Sequence, residues 1–183
     1  MNLWEEFMLH NIDLMEYSEY LIKAKEEELQ FINKLYNQGI LLEDGKEIIK
    51  NIDDEKNVLV ITATRCKDSA TILPFLLKLA ELNENIKIKF LLRKENRELL
   101  EQLSGELKVP TMMILDNNGQ VIRKFIEFPK GVKEILISNS KEKSQEVIDE
   151  MRNGKYNSLI QEDLIKFLTG DEYEYISFNR LDN

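Results

Sequence analysis

The sequence is poor in the residue types that build disulfides, metal centres and nucleotide-binding loops. Its 183 residues include one Cys, one His, three Pro and seven Gly. A single cysteine, Cys66, excludes a disulfide within the chain, and with His10 as the only histidine it cannot complete an ordinary zinc site. The glycines do not cluster as they do in a phosphate-binding loop. We therefore expect no metal ion and no cofactor.

Positive charge is also in deficit. The chain carries 25 Lys and Arg against 34 Asp and Glu, which gives a formal net charge of −9. Nucleic acids and anionic membranes are bound mainly through basic surface, so we expect neither as a partner. A local basic patch remains conceivable, and the C-terminal half offers candidates for it in Lys130, Lys133, Lys141 and Lys143.

Long apolar segments are absent as well. No window approaches the roughly 20 apolar residues of a membrane span. The first residues carry Glu5, Glu6 and Asp13 where a secretory signal needs a basic and then an apolar stretch. Together with the lone cysteine, this pattern leads us to expect a reducing, cytoplasmic setting.

The composition, 43% hydrophobic and 32% charged, is typical of a globular protein. A chain of this length buries one sizeable core, so we expect a single domain over residues 1–183. We divide it into an N-terminal helical extension (1–52), a core (57–128) and C-terminal helices with a tail (138–183).

Both extensions show helical periodicity. Apolar residues recur at helical spacing over residues 3–9 and 13–36, and Gly39 follows as a stop signal. A short helix is predicted over Glu43–Asn51. The pattern returns from Ser138 to Leu168, and the acidic, aromatic tail after it predicts a last strand or a docking segment.

The first part of the core is predicted to form a strand, a helix and a second strand. Val58–Ala63 is an apolar, β-branched run without polar alternation, which is typical of a buried strand, and Ile86–Leu92 is also strand-like. Between them, Asp68–Leu82 has the length and apolar spacing of a helix, with Pro74 inside it. Such a crossover unit favours parallel pairing of its two strands.

Beyond this unit, a polar helix is predicted near Glu95–Ser104. Two strand-like runs follow, Thr111–Leu115 and Gln120–Ile126. Asn118-Gly119 between them is a strong hairpin signal.

Two short segments give the sequence a family resemblance. Arg65-Cys66-Lys67-Asp68-Ser69 joins the first strand to its helix, and Val109-Pro110-Thr111 precedes the hairpin. Pro74 follows Cys66 by eight residues and Pro110 follows it by 44. This order and spacing resembles the thioredoxin superfamily. Within it, the sequence is most similar to a bacterial branch whose site reads Trp-Cys-x-Asp-Cys or Trp-Cys-x-Asp-Ser, followed by a proline-containing helix with Leu-x-x-Leu-Ala-Glu, here within Leu76–Glu81.

The resemblance implies an α/β fold. This is the thioredoxin-like three-layer sandwich, a mixed sheet with central parallel strands and an antiparallel hairpin, to which the N- and C-terminal helices are added. It also implies that Pro110 is cis and lies beside Cys66. Val109 and Thr111 would then offer backbone groups to an extended substrate, as strand edges do.

A thiol at a helix N-terminus meets the positive end of the helix dipole and unpaired backbone N–H groups. Both stabilise a thiolate and lower a cysteine pKa. Arg65 and Lys67 act in the same direction, whereas Asp68 opposes them, so the sequence leaves the net shift open.

In the family's two-cysteine motif, a second cysteine resolves the mixed disulfide, and Ser69 occupies that position here. We therefore predict one-thiol chemistry in which an external thiol resolves the Cys66 mixed disulfide. The expected partners are a disulfide-containing or thiol-modified protein and a low-molecular-weight thiol. The predicted catalytic residues are Cys66, Ser69 and Pro110, and the predicted substrate-binding residues are Arg65, Lys67, Asp68, Val109 and Thr111.

Two other functions stay open. Arg65 replaces the usual Trp and Val60 replaces a buried carboxylate of classical members, which favours a redox-inactive binding module. A redox sensor that responds to oxidation of Cys66 is the third hypothesis for the function. Asp68 and Ser69 would also serve simply as helix caps. The oligomeric state does not follow from the sequence.

Overall fold

A computed structural model describes residues 12–178, which form eight helices and four strands. The predicted helix over residues 3–9 and His10 lie outside these residues. In chain order the elements are α1 (Tyr17–Ile22), α2 (Glu26–Gln38), α3 (Glu43–Lys50), β1 (Lys56–Thr62), α4 (Lys67–Ala80), β2 (Ile86–Leu92), α5 (Arg97–Ser104), β3 (Thr111–Leu115), β4 (Val121–Ile126), α6 (Lys130–Ile137), α7 (Lys141–Arg152) and α8 (Asn157–Thr169). None of the helices in this range is long and apolar enough to cross a membrane.

The four strands form one mixed sheet in the order β2-β1-β3-β4. β1 and β2 are parallel, as the crossover unit predicted, and β3 runs antiparallel to both β1 and β4. The turn between β3 and β4 contains Gly119 at φ 76°, a left-handed conformation that glycine adopts without strain. This arrangement confirms the predicted fold class.

Helices cover both faces of the sheet. On one face, α4 packs against α2, α3, α7 and α8, and on the other, α5 packs against β3. All seven residues of β1 are buried, with Val58 and Val60 in the larger core and Leu59 and Ile61 in the smaller one. Burial on both sides explains why this strand shows no polar alternation.

The single long helix predicted over residues 13–36 is wrong, because the chain breaks between α1 and α2. The Lys25 backbone N–H donates to the Glu28 carboxylate at 3.1 Å, a local bond that starts a new helix there. Before α1 the chain is extended, and Met15 pairs with Phe90 through backbone hydrogen bonds of 3.0 and 2.8 Å. The N-terminal segment is thus held at the edge of β2.

Two features of the C-terminal part differ from expectation. The sequence pattern missed α6, a short helix that begins directly after Pro129. Residues 170–178 form no strand; the Tyr173 hydroxyl donates to the Lys124 carbonyl at 2.6 Å, and Lys133 Nζ donates to the Ile176 carbonyl at 2.8 Å. The tail therefore docks on the domain through side chains.

Asn83 ties the N-terminal helices to the core. Its buried side-chain amide donates to the carbonyls of Ile49 and Ile52, both at 2.8 Å, and its Oδ1 accepts from the Asn85 backbone N–H at 2.9 Å. These bonds join the end of α3 to the turn that follows α4.

We expect Asn83→Ala to lower the free energy of unfolding by about 2–3 kcal/mol, because it removes three hydrogen bonds, two of them buried. Urea denaturation followed by circular dichroism measures the loss. Asn37→Ala, at an exposed position in α2, is the matched control and should change stability by less than about 0.5 kcal/mol. Equal effects of the two substitutions would contradict the assignment.

Candidate functional site

Cys66 lies where β1 passes into α4. It is the N-cap of α4, and its sulfur accepts a hydrogen bond from the Ser69 backbone N–H at 3.4 Å. On its other side, Cys66 Sγ donates to the Val109 carbonyl at 3.5 Å. The Val109–Pro110 peptide bond is cis. The helix start and the loop before β3, distant in sequence, thus meet at one sulfur atom.

The half-buried Cys66 borders a cavity of about 720 Å³. Of the predicted site residues, Arg65, Cys66 and Val109 line it. The others are not among its lining residues: Lys67, Asp68, Ser69, Pro110 and Thr111.

Asp68, predicted from the sequence to bind substrate, forms a buried ion pair within the protein. Its carboxylate, 6% exposed, accepts a hydrogen bond from Arg152 Nε at 2.8 Å. Arg152 ends α7, so this ion pair fastens the first turn of α4 to the C-terminal helices. The sequence could indicate only that an acid buried at a helix start needs a cation; it could not identify Arg152.

Ser69 belongs to a buried network of hydroxyl groups. It is hydrogen-bonded to the Cys66 sulfur, and Thr62 Oγ1 donates to Ser69 Oγ at 2.7 Å. The Thr62 side chain is in turn hydrogen-bonded to the hydroxyl of Tyr20, a buried residue of α1. Sequence analysis identified Ser69 but missed Thr62 and Tyr20, because their hydroxyls become neighbours only when α1 packs on the sheet.

Burial raises the pKa of the Cys66 thiol above its ordinary value. The hydrogen bonds from the Ser69 hydroxyl and backbone N–H lower the pKa, and the charge of Asp68 raises it. The effect of burial is the largest of these, so the net shift of the Cys66 pKa, which the sequence left open, is upward.

The fold, with Cys66 at the start of α4 and Pro110 opposite, defines a thioredoxin-like protein with one cysteine at the redox position. The chain belongs to the thioredoxin family, whose model, described as "Thioredoxin", matches residues 14–152. No curated protein matches the sequence.

Two solved structures share the fold. A crystal structure of a Pseudomonas aeruginosa protein of unknown function aligns with a TM-score of 0.73 at 15% identity, covering 93% of this chain and 98% of that one. An HIV epitope scaffold aligns with a TM-score of 0.73 at 15% identity, covering 93% and 99% of the two chains. Both alignments extend well beyond residues 57–128, so the added helices belong to the shared fold.

Removing the partner of Asp68 should destabilise the protein. We expect Arg152→Met to lower the free energy of unfolding by about 2–3 kcal/mol, somewhat less than for a fully buried pair because Arg152 is 22% exposed. Lys155→Met, which breaks an exposed ion pair with Glu150, should cost under about 1 kcal/mol.

The double variant Asp68→Asn/Arg152→Met tests the cause. It should recover part of the loss seen with Arg152→Met, because the buried side chain that has lost its cation is then uncharged. Denaturant midpoints of the four proteins provide the comparison, and a double variant less stable than Arg152→Met would argue against the ion pair as the cause.

Proposed function

We propose that this protein catalyses thiol–disulfide exchange through Cys66 alone. The observation that carries the proposal is the position of the Cys66 sulfur, which lies at a helix start, beside the loop of the cis proline and at the wall of a cavity. We also infer that the chain belongs to the branch with a Trp-Cys-x-Asp-Cys or Trp-Cys-x-Asp-Ser site. In this motif, Arg65 occupies the position of the Trp and Ser69 occupies the position of the second cysteine.

The reaction has two steps. First, the Cys66 thiolate attacks one sulfur of a substrate disulfide, a Cys66–substrate disulfide forms, and the other sulfur leaves as a thiolate that takes a proton from water. Second, an external thiolate attacks the substrate sulfur of the mixed disulfide, forms a new disulfide with it, and releases Cys66 as a thiolate. Electrons balance, because one disulfide is consumed and one is formed.

Ser69 supports the ionised sulfur without forming a disulfide. Its hydroxyl and its backbone N–H are both hydrogen-bonded to Cys66, and the Thr62 hydroxyl holds the Ser69 hydroxyl in place by donating a hydrogen bond to it. Donors held in place before the reaction stabilise developing negative charge without reorganisation. We assign Ser69 a positioning and charge-stabilising role.

The raised pKa of Cys66 sets the character of the exchange. Only a small fraction of the thiol is ionised at neutral pH, although the thiolate that forms is strongly nucleophilic. A sulfur with a high pKa is also a poor leaving group, so a mixed disulfide on Cys66 should persist until a suitable thiol arrives. Both formation and resolution of the mixed disulfide would then be slow, and the substrate would stay bound to Cys66 between them.

A redox-inactive binding module is the second candidate, and the burial that raises the Cys66 pKa favours it. In such a module, the cavity that Val109 lines would hold a peptide without covalent chemistry.

Alkylation of Cys66 by iodoacetamide should report the raised pKa. Since only the thiolate reacts, the rate should increase with pH through a midpoint above the free-cysteine value of about 8.5. Ser69→Ala should move the midpoint higher, because it removes a donor to the thiolate. Ser138→Ala, an exposed serine in the turn after α6, is the control, and Cys66→Ser is the blank. A wild-type midpoint below about 8.5 would contradict the role given to burial.

The exchange function itself is tested with a neutral disulfide, bis(2-hydroxyethyl) disulfide. At a pH where the thiolate is populated, we expect intact-protein mass spectrometry to find one adduct on Cys66, and excess 2-mercaptoethanol to remove it. Cys66→Ser should form none. If the wild-type protein forms no adduct even in alkaline solution, exchange is excluded and the binding module remains.

A further inference from the structure

The cavity beside Cys66 is strongly basic although the chain as a whole is acidic. Six Lys and Arg residues and one carboxylate, that of Glu28, line it. The basic residues are Lys23, Lys25, Arg65, Arg93, Lys94 and Arg97. The formal charge of the chain is −9. Around the cavity that Cys66 lines, the local charge is therefore opposite in sign to that of the whole chain.

The fold brings these residues together from three separate turns. Thr62 at the end of β1 pairs with Leu92 at the end of β2, and since the strands are parallel, the turns that follow them share one edge. Arg65 lies in the first turn, and Arg93, whose backbone N–H donates to the Thr62 carbonyl at 2.8 Å, opens the second. The turn between α1 and α2 adds Lys23 and Lys25.

Few of these charges are neutralised within the protein. In the part of the chain that the structure describes, Lys94 is the one member with a carboxylate within 4.0 Å, that of Glu95 at 3.2 Å. Glu28 is already engaged, because its carboxylate is hydrogen-bonded to the Thr64 side chain and to the Lys25 backbone N–H. These bonds lower the pKa of Glu28, so its charge is present at neutral pH and still leaves the cavity net positive.

We propose that this cavity binds the small-molecule partner of Cys66, a low-molecular-weight thiol or its disulfide that carries two or more carboxylate, phosphate or sulfonate groups. The proposal rests on the exchange function given above and identifies its substrate class. Arg and Lys side chains bind such anions through charge-assisted hydrogen bonds. The volume of about 720 Å³ lies within the range of roughly 300–1,000 Å³ that small ligands occupy.

The geometry favours a compact ligand. The basic residues and Cys66 line the same concave space, so a ligand anchored there by its anionic groups would bring its own sulfur near Cys66. In the exchange step, Cys66 bonds to that sulfur and the second half of the disulfide departs as an anionic thiolate, which takes a proton from water. The same positive charges that bind the ligand stabilise this departing thiolate.

The test compares two disulfide reagents that differ in charge. Dithiobis-nitrobenzoate carries two carboxylates, and dithiodipyridine is uncharged near neutral pH. Both reaction rates depend on the same thiolate fraction, so their ratio isolates recognition of charge from any change in the Cys66 pKa. At moderate ionic strength, where the Debye length is about 10 Å and remote charges are screened, we expect Lys25→Glu/Arg97→Glu to lower the ratio about tenfold.

The two substitutions lie at helix starts, where an acidic side chain is favourable, so the variant should fold. Lys87→Glu/Lys143→Glu is the matched control: it makes the same change in net charge at exposed positions outside the cavity and should leave the ratio within about twofold. If both double variants lower the ratio equally, or neither does, the anion site is overturned while the exchange function stands. If the wild-type protein reacts with neither reagent, the exchange function fails.

Discussion

The whole site depends on the pairing of β1 with a neighbour on each side. Thr62 pairs with Leu92 of β2, and Ile61 pairs with Thr111 of β3, so three turns begin or end at the same edge of the sheet. One turn carries Cys66, the second carries part of the basic cluster, and the third carries Val109 and Pro110. Since both faces of β1 are buried, a one-residue slip in its register would exchange its side chains between the two cores and separate these turns at once.

The Cys66 sulfur lies between two contrasting environments. On the protein side are the hydroxyl network and the buried pair of Asp68 and Arg152, which fix the start of α4. Burial of the sulfur raises the pKa of the thiol, and the hydrogen bonds from Ser69 oppose this effect. On the open side is a cavity with excess positive charge. The groups that position the sulfur are thus different from the basic residues to which we assign recognition.

The sequence predicted the parts of the fold that strong local signals specify. The apolar runs at Ile86–Leu92 and Thr111–Leu115 match β2 and β3, and the parallel pairing of β1 with β2 followed from the crossover unit. The prediction of one long helix over residues 13–36 was wrong. The apolar pattern continues through Lys25, but the hydrogen bond from its backbone N–H to the Glu28 side chain starts a new helix there. The short helix after Pro129 had too few residues to show a period.

Partners distant in the sequence were beyond prediction. Arg152 lies 84 residues from Asp68, and Tyr20 reaches Thr62 only through the packing of α1. The conceivable basic patch in the C-terminal half illustrates the same limit: Lys133 is 3% exposed and donates to the tail, and Lys130 forms an ion pair with Glu174. Folding brings the basic cluster together elsewhere, from turns that the sequence does not place side by side.

Net charge is consequently a poor guide to the ligand of this protein. A field acts over about 10 Å at moderate ionic strength, so the sulfur responds to the six cations around it more than to the acidic surface of the remaining chain. Both steps of the proposed exchange would use this field in the same way. A positive cavity would stabilise an anionic thiolate that leaves when the mixed disulfide forms, and it would concentrate the anionic thiol that later attacks that disulfide. A preference for anionic thiols should therefore extend to both the formation and the resolution of the adduct on Cys66.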